Sequence, residues 1–206
     1  MFSLRPNALQ QLIRDPGAPI GTIADHLDSL DHRARMAELA DTTRQDQRLL
    51  WAKAGGGEAI DYAHFVPDGA GPLEPVVHHG RNTLPLPGPQ RFFRKPMARP
   101  DDGSERAFGY NDAPSRGLIG PGYFVLEKSP QEWAERGPWF VNYFAHPDGP
   151  VPSSWPPVKP NSEGLQRFVY AGTRDFMRKV SDHVSIGTAY KGDKALDHYF
   201  TLCRED

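Results

Sequence analysis

Gly122-Tyr-Phe-Val-Leu-Glu-Lys128, Ser129-Pro-Gln-Glu132 and Pro138-Trp-Phe-Val-Asn-Tyr-Phe-Ala145 follow one another in the middle of the chain, and they decide its fold class. The outer two are rich in aromatic and β-branched residues and are bounded by glycine and proline, the composition of strands. The middle one has a cap residue, a proline at the first helical position and a glutamate three after the cap; Gly137 then stops it. A short helical connection between two strands favours antiparallel pairing. Working outward, Arg91–Met97, Arg106–Tyr110, His183–Tyr190 and His198–Cys203 read the same way, which makes six candidate strands. The last two form a terminal hairpin around Lys191-Gly192-Asp193.

Between these strands, Leu165, Val169, Gly172, Phe176 and Val180 recur at helical steps among Arg167, Arg174, Asp175, Arg178 and Lys179, and this spacing predicts an amphipathic helix over 165–180. Residues 7–54 read as about three short helices. Thr22-Ile-Ala-Asp25 and Thr42-Thr-Arg-Gln45 match the capping arrangement, and Gly55-Gly56-Gly57 ends the run. Of the 21 prolines, 8 lie between Pro67 and Pro100 and 6 between Pro147 and Pro160, so neither belt reads as uninterrupted regular structure. The expected fold is therefore α+β. It comprises a helical appendage over 1–57, and a proline-strapped domain over 58–206 built on a strongly curved antiparallel sheet or small β-barrel of about six strands with one packing helix.

A net charge of −2, with 24 basic and 26 acidic residues interleaved, shows no cationic block of the kind that binds nucleic acid or an anionic membrane. Apolar runs such as Tyr123–Leu126 are far shorter than the roughly 18 residues of a membrane span. The opening Met1-Phe2-Ser3-Leu4-Arg5 turns polar at once, so a cytoplasmic location is expected. The single Cys203 excludes an intrachain disulfide framework and reads as a buried thiol in a strand.

His146-Pro147-Asp148, with His198 further on, has the residue types of a two-histidine, one-carboxylate iron site, and Arg204 would suit a co-substrate carboxylate. The same His-Pro-Asp-Gly is a good turn sequence, and the turn is the preferred reading. His78-His79 with Asp61 and His64 match no recurrent zinc spacing, and neighbours in an extended chain point apart. The loop 111–122 lacks the phosphate-binding and dinucleotide fingerprints, and no Gly-x-Ser-x-Gly elbow occurs. Trp155-Pro-Pro-Val-Lys-Pro160 suits an aromatic-grooved partner or a stiff crossover packed on its own sheet. No metal or other cofactor is expected.

The tyrosines of the β region suit a ligand site, since each joins an apolar ring to a hydroxyl. Tyr110, Tyr123, Tyr143, Tyr170 and Tyr190 are the candidate lining, with Arg116, Arg174 and His183 as polar anchors, around a cavity expected to reach roughly 300 Å³. The leading expectation is a small apolar or aromatic ligand in the mouth of the curved sheet. The alternatives are a protein-interaction module acting through the helical appendage and proline belt, and an iron oxygenase using His146, Asp148 and His198.

Overall fold

The structure, a computed structural model, describes residues 5–205, so the reading of Met1–Leu4 lies outside the described residues. Eight strands close into one barrel: β1 (Val76–Asn82), β2 (Phe92–Ala98), β3 (Ala107–Gly109), β4 (Phe124–Lys128), β5 (Trp139–Asn142), β6 (Thr173–Lys179), β7 (Val184–Lys191) and β8 (Lys194–Arg204). Each pairs antiparallel with its sequence neighbour, and β8 returns to β1 with Gly80 opposite Leu202. Closure leaves no free sheet edge. The α+β class holds, with eight strands in place of about six.

The two additional strands are β1 and β6. The expected helix over 165–180 is absent: α7 covers only Gln166–Val169, Gly172 turns at φ +79°, and the rest is β6. The helical spacing of apolar residues there is overridden by alternation, with Thr173, Asp175 and Met177 facing into the barrel and Arg174, Phe176 and Arg178 facing out.

Inside the barrel, three glycines sit across from three phenylalanines: Gly80 from Phe93, Gly109 from Phe124 and Gly187 from Phe200. Each ring lies on its glycine so closely that a Cβ there would overlap it. The missing side chains give the rings their space, and the rings cover backbone that glycine would otherwise leave bare.

Four helices pack outside this wall: α1 (Ala8–Arg14), α2 (Ile20–Asp28), α3 (His32–Ala40) and α4 (Arg44–Ala54). Their apolar faces, including Leu9, Ile13, Leu27, Leu39 and Leu50, share one core with Val180, Val184, Ile186 and Cys203 of the barrel exterior. Cys203 is a buried thiol in β8, as expected from the sequence. The caps fall near the expected places. Thr43 and Asp46 form the α4 capping box one residue beyond the sequence match, whereas Thr22 lies within α2, which starts after Pro19. Gly55 closes α4 in right-handed helical geometry. Asp46, fully buried, also receives Arg14 Nε at 2.7 Å and Gln10 at 2.9 Å, joining α1 to α4.

One end of the barrel is stoppered by α5 (Tyr62–Phe65), which Asp61 caps. Ile60, Tyr62, Phe65 and Val66 complete an interior layer of Met97, Leu126, Trp139, Val141, Met177 and Leu202. His78 of β1 holds the plug through Nε2 and the Phe65 carbonyl, 2.9 Å apart. On the outer face Trp155 packs on Tyr110 and Tyr123, with ring centroids 5.2 and 6.3 Å away. No helix among the described residues is long and apolar enough to cross a membrane.

Candidate functional site: a polar floor under an apolar mouth

Strand direction alternates around an up-and-down barrel, so the β1–β2, β3–β4, β5–β6 and β7–β8 connections all gather at the end opposite α5. Between them lies a cavity of about 220 Å³. Its upper wall is apolar: Leu84 and Leu86 from the first connection, Ile119 from the end of α6 (Arg116–Ile119), Val169 from α7, and Leu196 from β8. At about 30 Å³ per water, this is the room of about seven waters, or of a ligand with one or two small rings. A broader depression of about 450 Å³, lined by Met36, His79, Phe92, Arg94 and Pro114, lies on the outer side between α3 and β1–β2.

The cavity floor is polar. Lys95 of β2 points inward between Phe93 and Met97, and its side chain is 2% exposed. Its Nζ donates to Asn111 Oδ1 at 2.9 Å and to the Tyr143 hydroxyl, and lies 3.7 Å from Asp175 Oδ2. Asn111 is fixed in turn by donating to the Gly122 carbonyl at 2.9 Å and to the Tyr143 oxygen at 3.1 Å. The rings of Phe124, Tyr143, Phe200 and Phe93 surround the ammonium, with centroids 4.8, 5.0, 5.2 and 5.6 Å from Nζ. Tyr170 stacks on Tyr143 at 5.2 Å.

Burial dominates the ionisation of this group of residues. It lowers the Lys95 pKa to about 8 against the opposing pull of Asp175, and it raises that of Asp175 although Lys95 and Tyr143 favour its charge. Burial also lifts the Tyr143 hydroxyl well above its ordinary range and that of Tyr170 to about 12. Both tyrosines are therefore neutral donors at physiological pH. His198, on the cavity wall, has an Nδ1 atom with no hydrogen-bond partner among the described residues.

Of the residues named from sequence, Tyr143 and Tyr170 line this cavity. The other six lie elsewhere. Tyr110 and Tyr123 belong to the outer cluster with Trp155. Arg116 lies over the Tyr110 ring, 3.4 Å from Asp112. Arg174 lies over Phe144 and Trp133 on the outer face. Tyr190 meets Phe176 edge-on, also outside. His183 sits in the β6–β7 turn at the closed end, where its carbonyl accepts from the Arg204 amide. The cavity is smaller than the expected 300 Å³, and its cation is Lys95, not an arginine. Lys95 carried a usable signal: in Phe93-Arg-Lys-Pro-Met97, residues 93, 95 and 97 share one strand face, which sets a lysine between two core residues.

The candidate iron ligands do not form one site. Asp148 is paired with Arg106 at 2.9 Å, while His198 faces the cavity. His64 and His78 meet at the closed end, but His79 turns outward to Glu205 at 2.6 Å and Asp61 is occupied as a cap. Among the described residues no group of three or more His, Cys, Asp or Glu side chains is arranged to hold a metal ion. Comparison with protein-family models, with curated proteins and with solved structures gives no match.

Proposed function

We propose that this barrel is a cytoplasmic binding protein for a small, largely apolar ligand with one polar group, taken up through the open end. The observation that carries this reading is the cavity itself: an apolar mouth above the Lys95, Asn111, Tyr143 and Asp175 floor. Such a combination orients a ligand, because apolar walls supply affinity and a few fixed polar groups supply direction. Leu118, Phe168 and Val169, exposed on α6 and α7 beside the mouth, suit a ligand of low water solubility.

Docking of a protein partner by the helical appendage has less support. The helices commit their apolar faces to the barrel wall, and Trp155 of the proline belt is engaged with Tyr110 and Tyr123.

Indole, a neutral two-ring probe with one donor, tests the binding reading by calorimetric titration. Binding is expected to the full chain and to be lost in Ala189→Trp, which fills the cavity from β7 directly opposite Asp175. Equal binding to both proteins, or none to either, contradicts the assignment.

A further inference from the structure

Lys95 is a primary amine fixed at the bottom of a cavity, ringed by four aromatic side chains and shielded from water. An ammonium placed only to balance Asp175 would be expected in direct contact with it. Here the separation is 3.7 Å, and the shorter contacts go to the neutral Asn111 and Tyr143. The carboxylate thus pairs with the ammonium loosely, and an approach of about half an ångström would bring it within hydrogen-bond reach of Nζ to take the proton. Burial favours the neutral amine, the nucleophilic form.

We propose that Lys95 captures the carbonyl group of a small aldehyde or ketone as a protonated imine, a role that rests on the ligand-binding reading above. The Lys95 ammonium first passes a proton to Asp175, leaving a lone pair on Nζ. That pair forms the bond to the carbonyl carbon while the carbonyl π pair moves to oxygen. A second Nζ proton moves to this oxygen, giving a carbinolamine. Asp175 then returns the first proton, the C–O bond breaks and water leaves. The iminium keeps the positive charge beside the restored Asp175 carboxylate, so charge is conserved and no oxidant or reductant is consumed. The Tyr143 hydroxyl, beside Nζ, is placed to hydrogen-bond the oxygen as its charge grows. The apolar mouth selects an uncharged carbonyl compound of about one ring, and its exclusion of water slows hydrolysis of the imine.

Benzaldehyde with sodium cyanoborohydride tests the proposal on the full chain, because reduction fixes any imine as a stable adduct. Peptide mapping is expected to place the adduct on Lys95, formed about tenfold or more faster at pH 8 than on any of the six other lysines. Excess indole should protect Lys95. Asp175→Asn should slow labelling at Lys95 and leave the surface lysines unchanged. Labelling confined to the surface lysines, with Lys95 unmodified in the folded wild-type protein, overturns imine capture. If indole still binds that protein and not Ala189→Trp, the binding reading survives alone. If it does not, both fall.

Discussion

Lys95 and Asp175 are the residues whose presence most needs explaining. A buried ion pair seldom stabilises a protein more than well-packed apolar residues of similar size, since removing two charges from water costs several kcal/mol per ion. Their cost therefore points to selection for something other than stability. The double replacement Lys95→Met with Asp175→Leu is expected to be as stable as the wild type or more stable, by up to about 4 kcal/mol. Asp175→Leu alone should cost about 3 kcal/mol or more, because it strands the Lys95 charge. The pH dependence has a definite sign. With the folded pKa of Lys95 at about 8, below the unfolded value of 10.5, the unfolded chain binds more protons in between. Wild-type stability should thus gain on that of the double variant as pH rises from 8 to 10.5. Urea unfolding across this range checks both statements, and a wild type clearly more stable than the double variant at pH 7 would contradict them.

Among the elements, the two strands the sequence conceals, β1 and β6, both depart from an apolar inner face. β2, β4, β5 and β8 bring Phe93, Phe124, Val141, Phe200 and Leu202 inward, and their composition identified them as strands. β1 places His78, Gly80 and Asn82 on the inner face, so it lacks an apolar stripe. In β6 the sense is reversed: Asp175 faces in and Phe176 faces out, covered by Phe140 and Tyr190. Alternation read as apolar-in failed where the interior is built for a polar contact, and the same inversion kept Lys95 and Asp175 from being named. The tyrosines chosen for their hydroxyls were poor guides, because an aromatic outer surface covered by Trp155 has the same composition as a lined pocket. The α5 plug gives this scale its own test. Burial depresses His78 to about 4 and His64 well below its ordinary value, with Arg204 adding to both shifts. For His78 the unfolded value is 6.5, so stability falls as pH drops from 6.5 toward 4, by about 3 kcal/mol for this residue. His78→Gln, which keeps a donor for the Phe65 carbonyl, should lose correspondingly less stability between pH 7 and pH 4.5 in chemical denaturation. An unchanged acid slope would show that His78 does not govern the plug.

The whole molecule is a closed barrel with one end stoppered, one wall buttressed by helices and one end left open. The helices before residue 57 and the strands after it share a continuous apolar core from Leu9 to Cys203. That arrangement covers the wall on the helical side and leaves the loops of the open end as the accessible route to the interior. The central claim is that this end takes up a small apolar ligand above the Lys95 floor. Methyl-resolved NMR of the full chain titrated with indole tests it most directly, because the methyl groups map the molecule from end to end. The account predicts shifts concentrated in Leu84, Leu86, Ile119, Val169 and Leu196, with Leu9, Leu27 and Leu39 of the helical layer unmoved. Shifts confined to the helical layer, or none at saturating indole, would contradict it.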